Sequence, residues 1–323
     1  ETERTALAAM AEVDGLVANT AKLDPRAWNV APASDPAIAS GAYTRAYVAV
    51  QNGCDHACTF CIIPRGRGPS RSEPVAAVIE TVARHVAAGT SEIVLSGVDL
   101  TSWGQDLPGA PRLGTLVAAI LHAAPALRRL RLSSIDPAEI DPELFALIAG
   151  EPRVMPHLHL SLQHGHDLVL KRMKRRHTMD DAQALVARLR DRRPELAVGA
   201  DLIAGFPTED EAMHMANLAA IDTLGIVHGH VFPYSARAGT PAARMPQVPP
   251  GTARTRAGEL RAAIARQREA WLGKLIGTPL SVLAESDGTG HAENFARVRL
   301  APDTPRGQIV TVTPDRIVEG LLA

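Results

Sequence analysis

The sequence predicts an α/β protein: a partial (βα)6, TIM-like barrel followed by a small all-β domain. Three observations predict it. From residue 46 onward, short β-branched runs alternate six times with longer amphipathic stretches, and such alternation implies parallel strands with helices outside. The residues with chemistry to offer fall just after several different strands, which is where barrels place their sites. A doubly wound sheet is the alternative, but no G-x-G-x-x-G follows the first strand. After Gly277 the pattern switches to short β runs separated by Asp-Gly, Pro and Pro-Arg-Gly turns.

The elements follow in order. Residues 46–51 read as the first strand. Residues 74–88 read as a helix, because Val75, Val78, Ile79, Val82 and Val86 share one face, Pro74 suits the first turn and Gly89 the stop. Strand 92–96 precedes helix 113–124, and strand 128–133 precedes helix 137–149. Strand 157–162 leads to helix 180–193, strand 196–204 to helix 209–224, and strand 226–234 to the long helix 252–275. Strands at 280–285, 292–300, 308–313 and 317–321 complete the terminal domain. Residues 1–45 begin helically at 3–11 and continue Pro- and Ala-rich without a period, so they form no domain alone. The expected division is 1–45 as a leading segment, 46–276 as the barrel and 277–323 as the β-domain.

Composition narrows the function classes. Of 323 residues, 46% are hydrophobic and 21% charged, enough apolar material for a sizeable core. With 34 Lys and Arg against 35 Asp and Glu, overall charge gives nucleic-acid binding no support, and any basic surface is local. The longest uncharged stretch, 114–127, is too short to span a bilayer, and no secretory leader is present. Clustered, reduced cysteines then point to the cytoplasm.

Those cysteines are three in all: Cys54, Cys58 and Cys61, directly after the first strand and flanked by Gly53, Gly66 and Gly68. An odd count in one short loop argues for a metal site rather than a disulfide framework. Three thiolates leave one coordination position open, and they favour soft metals and iron–sulfur clusters. A structural zinc site with His56 as fourth ligand is the other reading of this spacing.

The loop, with Phe60 before its third cysteine, resembles the radical S-adenosylmethionine (SAM) signature. Further segments resemble the methylthiotransferase branch: Ile62–Ser72, Leu95-Ser96-Gly97-Val98-Asp99-Leu100, His157–Gln163, Met173–Thr178, Asp201–Pro207 and Val231–Ala242. Within it, His-Leu-His-Leu before Gln163 and the Phe-Pro-Tyr-Ser segment are most similar to enzymes modifying N6-threonylcarbamoyladenosine in tRNA. The resemblance implies a 4Fe-4S cluster on Cys54, Cys58 and Cys61, whose free iron binds SAM beside Phe60, with Gly97, Ser133, Gln163 and Asp201 lining the SAM pocket. Reductive cleavage of SAM gives a carbon radical that takes hydrogen from adenine C2, where a methylthio group is installed. Implied partners are tRNA and an electron donor such as flavodoxin or ferredoxin, without a membrane.

Residues 282–285 and 291–299 resemble the TRAM domain, which implies RNA contacts from Arg297 and Arg299 and from exposed basic and aromatic residues. The family also carries an N-terminal domain with a second 4Fe-4S cluster. Residues 9–22 resemble only its tail, and no further cysteines occur, so the expectation is a chain competent for SAM cleavage but not sulfur insertion. The usual Gln-Ser-Gly-Ser-Asp stands here as Gln163-His164-Gly165-His166-Asp167, a departure expected to alter local hydrogen bonding.

The remaining charged and imidazole groups read more plainly. His157, His159, His164 and His166 read as packing within the barrel rather than as a metal cluster. Residues 171–176 suit either tRNA phosphates or a solvated helix end, and Arg254, Arg256, Arg261, Arg266 and Arg268 an ordinary exposed helix face. Two rivals stand beside the main reading: a sister methylthiotransferase acting on another tRNA adenosine or a ribosomal-protein side chain, and a non-catalytic, zinc-stabilised RNA-binding protein.

Overall fold

The computed structural model describes residues 3–18, 21–22, 24–30 and 44–323. Of the leading segment it shows one short helix, α1 (Arg4–Ala8), briefer than the expected 3–11. The Pro- and Ala-rich stretch 31–43 lies outside the described residues.

The barrel begins with β1 (Arg45–Asn52), the short α2 (Ile63–Arg67), the two-residue β2 (Arg71–Ser72) and α3 (Val75–Ala87). It continues through β3 (Glu92–Gly97), α4 (Leu113–Ala123), β4 (Arg129–Leu132), β5 (Ser134–Ile135) and α5 (Pro142–Gly150). Next come β6 (His157–Gln163), α6 (Asp167–Met173), α7 (Met179–Arg192), β7 (Ala197–Ala204), α8 (Glu211–Leu224), β8 (Ile226–Pro233) and α9 (Pro250–Leu275). All six expected strand–helix units are present.

Local chemistry sets the helix starts. Asp141 caps α5 through the Leu144 N–H, Asp210 caps α8 through Met213, and Thr178 with Asp181 forms a capping box on α7. The apolar stripe of α3 buries Val78 and Val82 fully, about 1.5–3 kcal/mol each.

The strands run parallel in chain order, β1-β3-β4 and β5-β6-β7-β8, and a bridge between Leu130 and Val154 links the two sheets. The expected strand 128–133 is broken at Ser133, so β4 pairs with β3 while β5 pairs with β6. β1 and β8 are not paired, which leaves the barrel open on that side. The helix-facing strand residues, such as Val48, Leu95, Leu160 and Leu202, form the main core. The lumen carries polar side chains among apolar ones: Tyr47, Arg131, His157, His159, Asp201 and His228 line a cavity of about 640 Å³ together with Val94, Leu132, Val227 and Ile264.

The terminal sheet has the order β12-β9-β10-β11-β14-β13, from β9 (Leu280–Ala284), β10 (Thr289–Ala292), β11 (Arg297–Arg299), β12 (Ile309–Val312), β13 (Ile317–Val318) and β14 (Leu321–Leu322). Its core of Leu280, Val282, Ala292, Val298 and Leu322 includes Trp271 and Leu272 from the end of α9. Two expected strands are in fact hairpins. Phe295 at φ 69° turns the chain between β10 and β11, and Glu319 and Gly320 at 54° and 75° turn it between β13 and β14.

Arginines fix this sheet to the N-terminal end of the barrel. Arg129 donates to the Ser281 and His291 carbonyls at 2.7 and 3.2 Å, Arg131 donates to the Glu293 carbonyl at 3.1 Å, and Arg45 pairs with Glu285. All three arginines surround the buried Glu92. Phe295, the aromatic residue of the terminal module, is not offered to solvent as expected. Its ring lies 4.8 Å from that of His157 and 5.5 Å from that of His228, with the Arg131 guanidinium 4.8 Å above it.

Candidate functional site

The cysteine loop is shaped by two left-handed glycines. Gly53 (φ 76°) sits so close to residues 68–69 that a Cβ there would lie 1.9 Å from the Pro69 carbonyl oxygen, so only glycine fits. The Cys54 N–H then bonds the carbonyl of Gly68 (φ 78°) at 3.2 Å, closing the loop at its base. Gln51 clamps it from below. Its amide donates to the Gly53 carbonyl and Ser70 Oγ, both at 2.9 Å, while its oxygen accepts from Asp99 N–H at 2.8 Å. Gly97 abuts this side chain: a Cβ there would be 3.0 Å from the Gln51 oxygen. On the far side, Thr59 N–H bonds the Met173 carbonyl, and Thr59 accepts from Ala242 N–H, tying the loop to the end of α6 and to the segment after β8.

The three sulfurs are half-buried. Burial pushes the Cys54 thiol up to about 12 and raises Cys61 as well. Such thiols ionise when a metal takes their charge. Ligand atoms within 4.8 Å of one another include the set Cys54, His56 and Asp99, but not the three sulfurs together. Three thiols on one glycine-shaped loop with no fourth cysteine suit a cluster that leaves a position open, while His56 lies 2.8 Å from Asp99 and 3.4 Å from Glu139. Hydrogen bonds to those two carboxylates raise the His56 pKa to about 10.

Around the loop stands a charged ring that sequence reasoning missed. Arg175 reaches within 3.7 Å of Cys58 Sγ and donates to Asp136 and to the Ser161 carbonyl, each at 2.8 Å. Burial works to raise the Asp136 pKa, but the nearby His177 ring, 3.7 Å away, and the Arg175 charge prevail and hold it far below the carboxylate range. Arg176 pairs with Glu139 at 2.9 Å. The expected solvated or phosphate-facing run is thus turned inward at Arg175, while Arg176 stays exposed as it reaches Glu139. Lys174, left-handed at φ 58°, ends α6 and redirects the chain. Nothing in the charge pattern signals that turn.

Of the other expected residues, Phe60, Gln163 and Asp201 line one cleft with Tyr234 and Arg237. Ser133 lines the lumen instead, its Oγ without a partner. Asp201 belongs to both spaces. Its Oδ1 lies 3.1 Å from His159 Nε2 and 2.9 Å from His230 Nδ1, which keeps it ionised against the effect of burial. Gly199 makes room for the His159 ring, since a Cβ there would lie 2.5 Å from Nδ1.

The two-imidazole departure leaves little unsatisfied. His166 Nδ1 accepts from Leu168 N–H as a capping hydroxyl would, and buried His164 spans His166 N–H and Glu209 Oε2. The arginines of α9 do not share one exposed face. Arg256 is buried against Glu209 at 2.9 Å, and Arg261 and Arg268 line the lumen. Arg297 and Arg299 do share a strand face, paired with Asp287 at 2.5 Å and Glu319 at 3.1 Å.

No helix among the described residues is long and apolar enough to cross a membrane. The chain is 47% identical over 279 residues to the threonylcarbamoyladenosine tRNA methylthiotransferase of Rickettsia prowazekii, covering 86% of this chain and 66% of that protein. It is 38% identical to a tRNA-2-methylthio-N6-dimethylallyladenosine synthase of Erythrobacter litoralis, covering 75% of this chain and 55% of that one. The chain thus spans about two thirds or less of the length of these curated relatives. Among solved structures, coproporphyrinogen III oxidase of Escherichia coli, described as a radical SAM enzyme, aligns over 73% of this chain and 54% of its own at 15% identity and a TM-score of 0.49. Residues 48–219 match the Radical SAM superfamily, and the chain belongs to that superfamily.

Proposed function

We propose that this chain carries the radical-generating and tRNA-binding parts of a methylthiotransferase acting on C2 of N6-threonylcarbamoyladenosine. The observation that carries the reading is the meeting of the three-thiol loop with a cleft lined by Phe60, Gln163 and Asp201 at the C-terminal ends of the strands. The similarity to the Rickettsia enzyme supports the choice of nucleoside.

Cys54, Cys58 and Cys61 would hold a 4Fe-4S cluster which, when bound and reduced, supplies the electron that splits SAM into methionine and a carbon radical able to take hydrogen from adenine. The chain's own residues position and shield. Phe60 packs beside the cluster of Val169, Met173 and Phe206 and gives the cleft an apolar wall. Gln163 and ionised Asp201 offer hydrogen-bonding groups on the opposite side, and Ser133 and Gly97 frame the strand ends. Arg175 sets a positive charge against Cys58. Arg297 and Arg299 would exchange their exposed carboxylate partners for tRNA phosphates, a small cost because surface ion pairs contribute only about 0–1 kcal/mol. A flavodoxin- or ferredoxin-type protein in the cytoplasm would supply electrons.

Anaerobic reconstitution with iron and sulfide tests the chemistry. The brown protein should release 5′-deoxyadenosine from SAM plus reductant, and Cys58→Ala should abolish it. A colourless, inert protein refutes the reading. Mass spectrometry of tRNA nucleosides from cells lacking the gene tests the substrate, since loss of the methylthio group from another nucleoside contradicts the choice.

A further inference from the structure

Two cations on α9 have no role in the site as described. Arg261 and Arg268 lie two turns apart on the face that also turns Ile264 and Ala265 to the lumen. Among the described residues neither has a carboxylate partner. Arg261 donates to the Val231 carbonyl at 2.7 Å, and Arg268 leaves Nε unpartnered. The other two arginines of the cavity, Arg45 and Arg131, are already held by Glu92. Burial and the charge of Arg297 both push the Arg268 pKa down, as expected of a cation short of counter-charge.

The same cavity contains buried groups with nothing to bind: both ring nitrogens of His157, Nε2 of His228 and Oγ of Ser133. His157 is only 8% exposed. A space of about 640 Å³ is large enough for a small-molecule group, and unpaired buried polar atoms are rare enough to call for one. Because Asp201 lines both the cavity and the cleft beside Phe60, a ligand in the lumen can have its other end at the cysteine loop.

We propose that the lumen receives the carboxylate-bearing side chain of the target nucleoside, with Arg261 and Arg268 as the specificity-determining residues. This deepens the proposed function and rests on it. A threonylcarbamoyl group ends in an amino-acid carboxylate and a hydroxyl, whereas a dimethylallyl group is a hydrocarbon. The first supplies the anion that the two arginines lack and partners for the imidazoles. The second leaves the His157 and His228 nitrogens and Arg268 Nε unpaired, and sites built around hydrogen bonds reject such analogues strongly.

The test measures binding of the reconstituted protein to labelled anticodon stem-loop RNA at one fixed salt concentration. The RNA carries N6-threonylcarbamoyladenosine, its neutral methyl ester, or N6-dimethylallyladenosine. The acid should bind at least about tenfold more tightly than the ester. Arg261→Gln and Arg268→Gln should erase that difference, while Arg254→Gln on the exposed side of α9 keeps it. Equal binding of acid and ester by the unsubstituted protein overturns the inference however the variants fold. If acid and ester both still exceed the dimethylallyl form, the substrate reading survives that loss. Tightest binding of the dimethylallyl form overturns the substrate reading itself. Equal weakening of acid and ester by Arg261→Gln assigns the arginines to phosphate and also overturns the inference.

Discussion

Glu92→Gln should loosen the terminal sheet from the barrel without touching the cysteine loop. Glu92 is 0% exposed and meets Arg45 at 2.7 Å, Arg131 at 3.0 Å and Arg129 at 3.7 Å. Burial works to raise its pKa, yet the charges of Arg131, Arg45 and Arg129 lower it, so the carboxylate is ionised in the folded protein. Arg129 and Arg131 reach across to the Ser281, His291 and Glu293 carbonyls, and Arg45 to the Glu285 carboxylate. Removing the charge leaves three desolvated guanidinium groups sharing an amide oxygen. Breaking a buried pair in this way costs about 3–5 kcal/mol, and the amide's remaining hydrogen bonds put Gln at the lower end. With a urea dependence of about 1–3 kcal/mol per molar, the midpoint should fall by about 1 M or more.

The pH dependence has a definite sign. A carboxylate with a lowered folded pKa contributes stability that is complete above its unfolded value, 4.5, and is lost as pH falls through the folded value. The gap between the unsubstituted protein and Glu92→Gln should therefore be full at pH 7 and shrink below about 4.5. Limited proteolysis gives a second readout, since exposed Ile276 lies at the junction with the terminal sheet and should be cut faster in the variant. Unfolding free energies within about 0.5 kcal/mol of each other at pH 7, with unchanged proteolysis, would refute the assignment of Glu92 as the anchor.

Three further outcomes are expected. Gly53→Ala combines a left-handed φ with a contact at 1.9 Å, so iron bound per chain after reconstitution should fall by more than half; normal iron content would show that the loop closes by another route. His228 is held neutral, its pKa lowered to about 3 mainly by burial, so the stability it contributes is full above 6.5 and is lost as pH falls towards 3. His228→Gln should remove up to about 1.4 kcal/mol per pH unit from that acid slope in denaturation curves, and an unchanged slope contradicts it. Glu209→Ala deprives Arg256 of its buried partner at 2.9 Å and the Gly205 and Phe206 N–H groups of their acceptor, so unfolding free energy should drop by about 3–5 kcal/mol. A drop below 1 kcal/mol would mean that water replaces the carboxylate.

What could be read from the sequence was whatever depends on neighbours along the chain. The stripe of Val75, Val78, Ile79, Val82 and Val86 announced α3, and six repeats of strand and helix announced the barrel, because each period of side chains reports the face it must bury. The cysteine spacing reported its own loop for the same reason. The errors fell where one left-handed residue redirects the chain. Phe295 and Glu319 turned expected strands into hairpins, and Lys174 swung Arg175 and Arg176 towards Cys58 and Glu139. A positive φ at a non-glycine residue leaves no mark in composition, so the consequences of such turns had to be seen in the fold.

The lumen could not be read for a different reason. Its lining comes from β1, β3, β4, β5, β6, β7, β8, α9 and the terminal domain, so no local period contains it. On α9, Arg254, Arg256, Arg261 and Arg268 look alike in sequence. The fold gives Arg256 a buried carboxylate, leaves Arg254 in solvent and sets Arg261 and Arg268 at a cavity where neither has a carboxylate partner among the described residues. Barrel interiors are ordinarily filled by branched apolar side chains. Here His157 and His228 stand in that space with ring nitrogens unpaired, and Phe295 from the terminal sheet packs against both. The terminal module therefore also shapes the barrel's interior. By placing Phe295 against His157 and His228, it helps to bound the space in which the nucleoside side chain is proposed to be recognised.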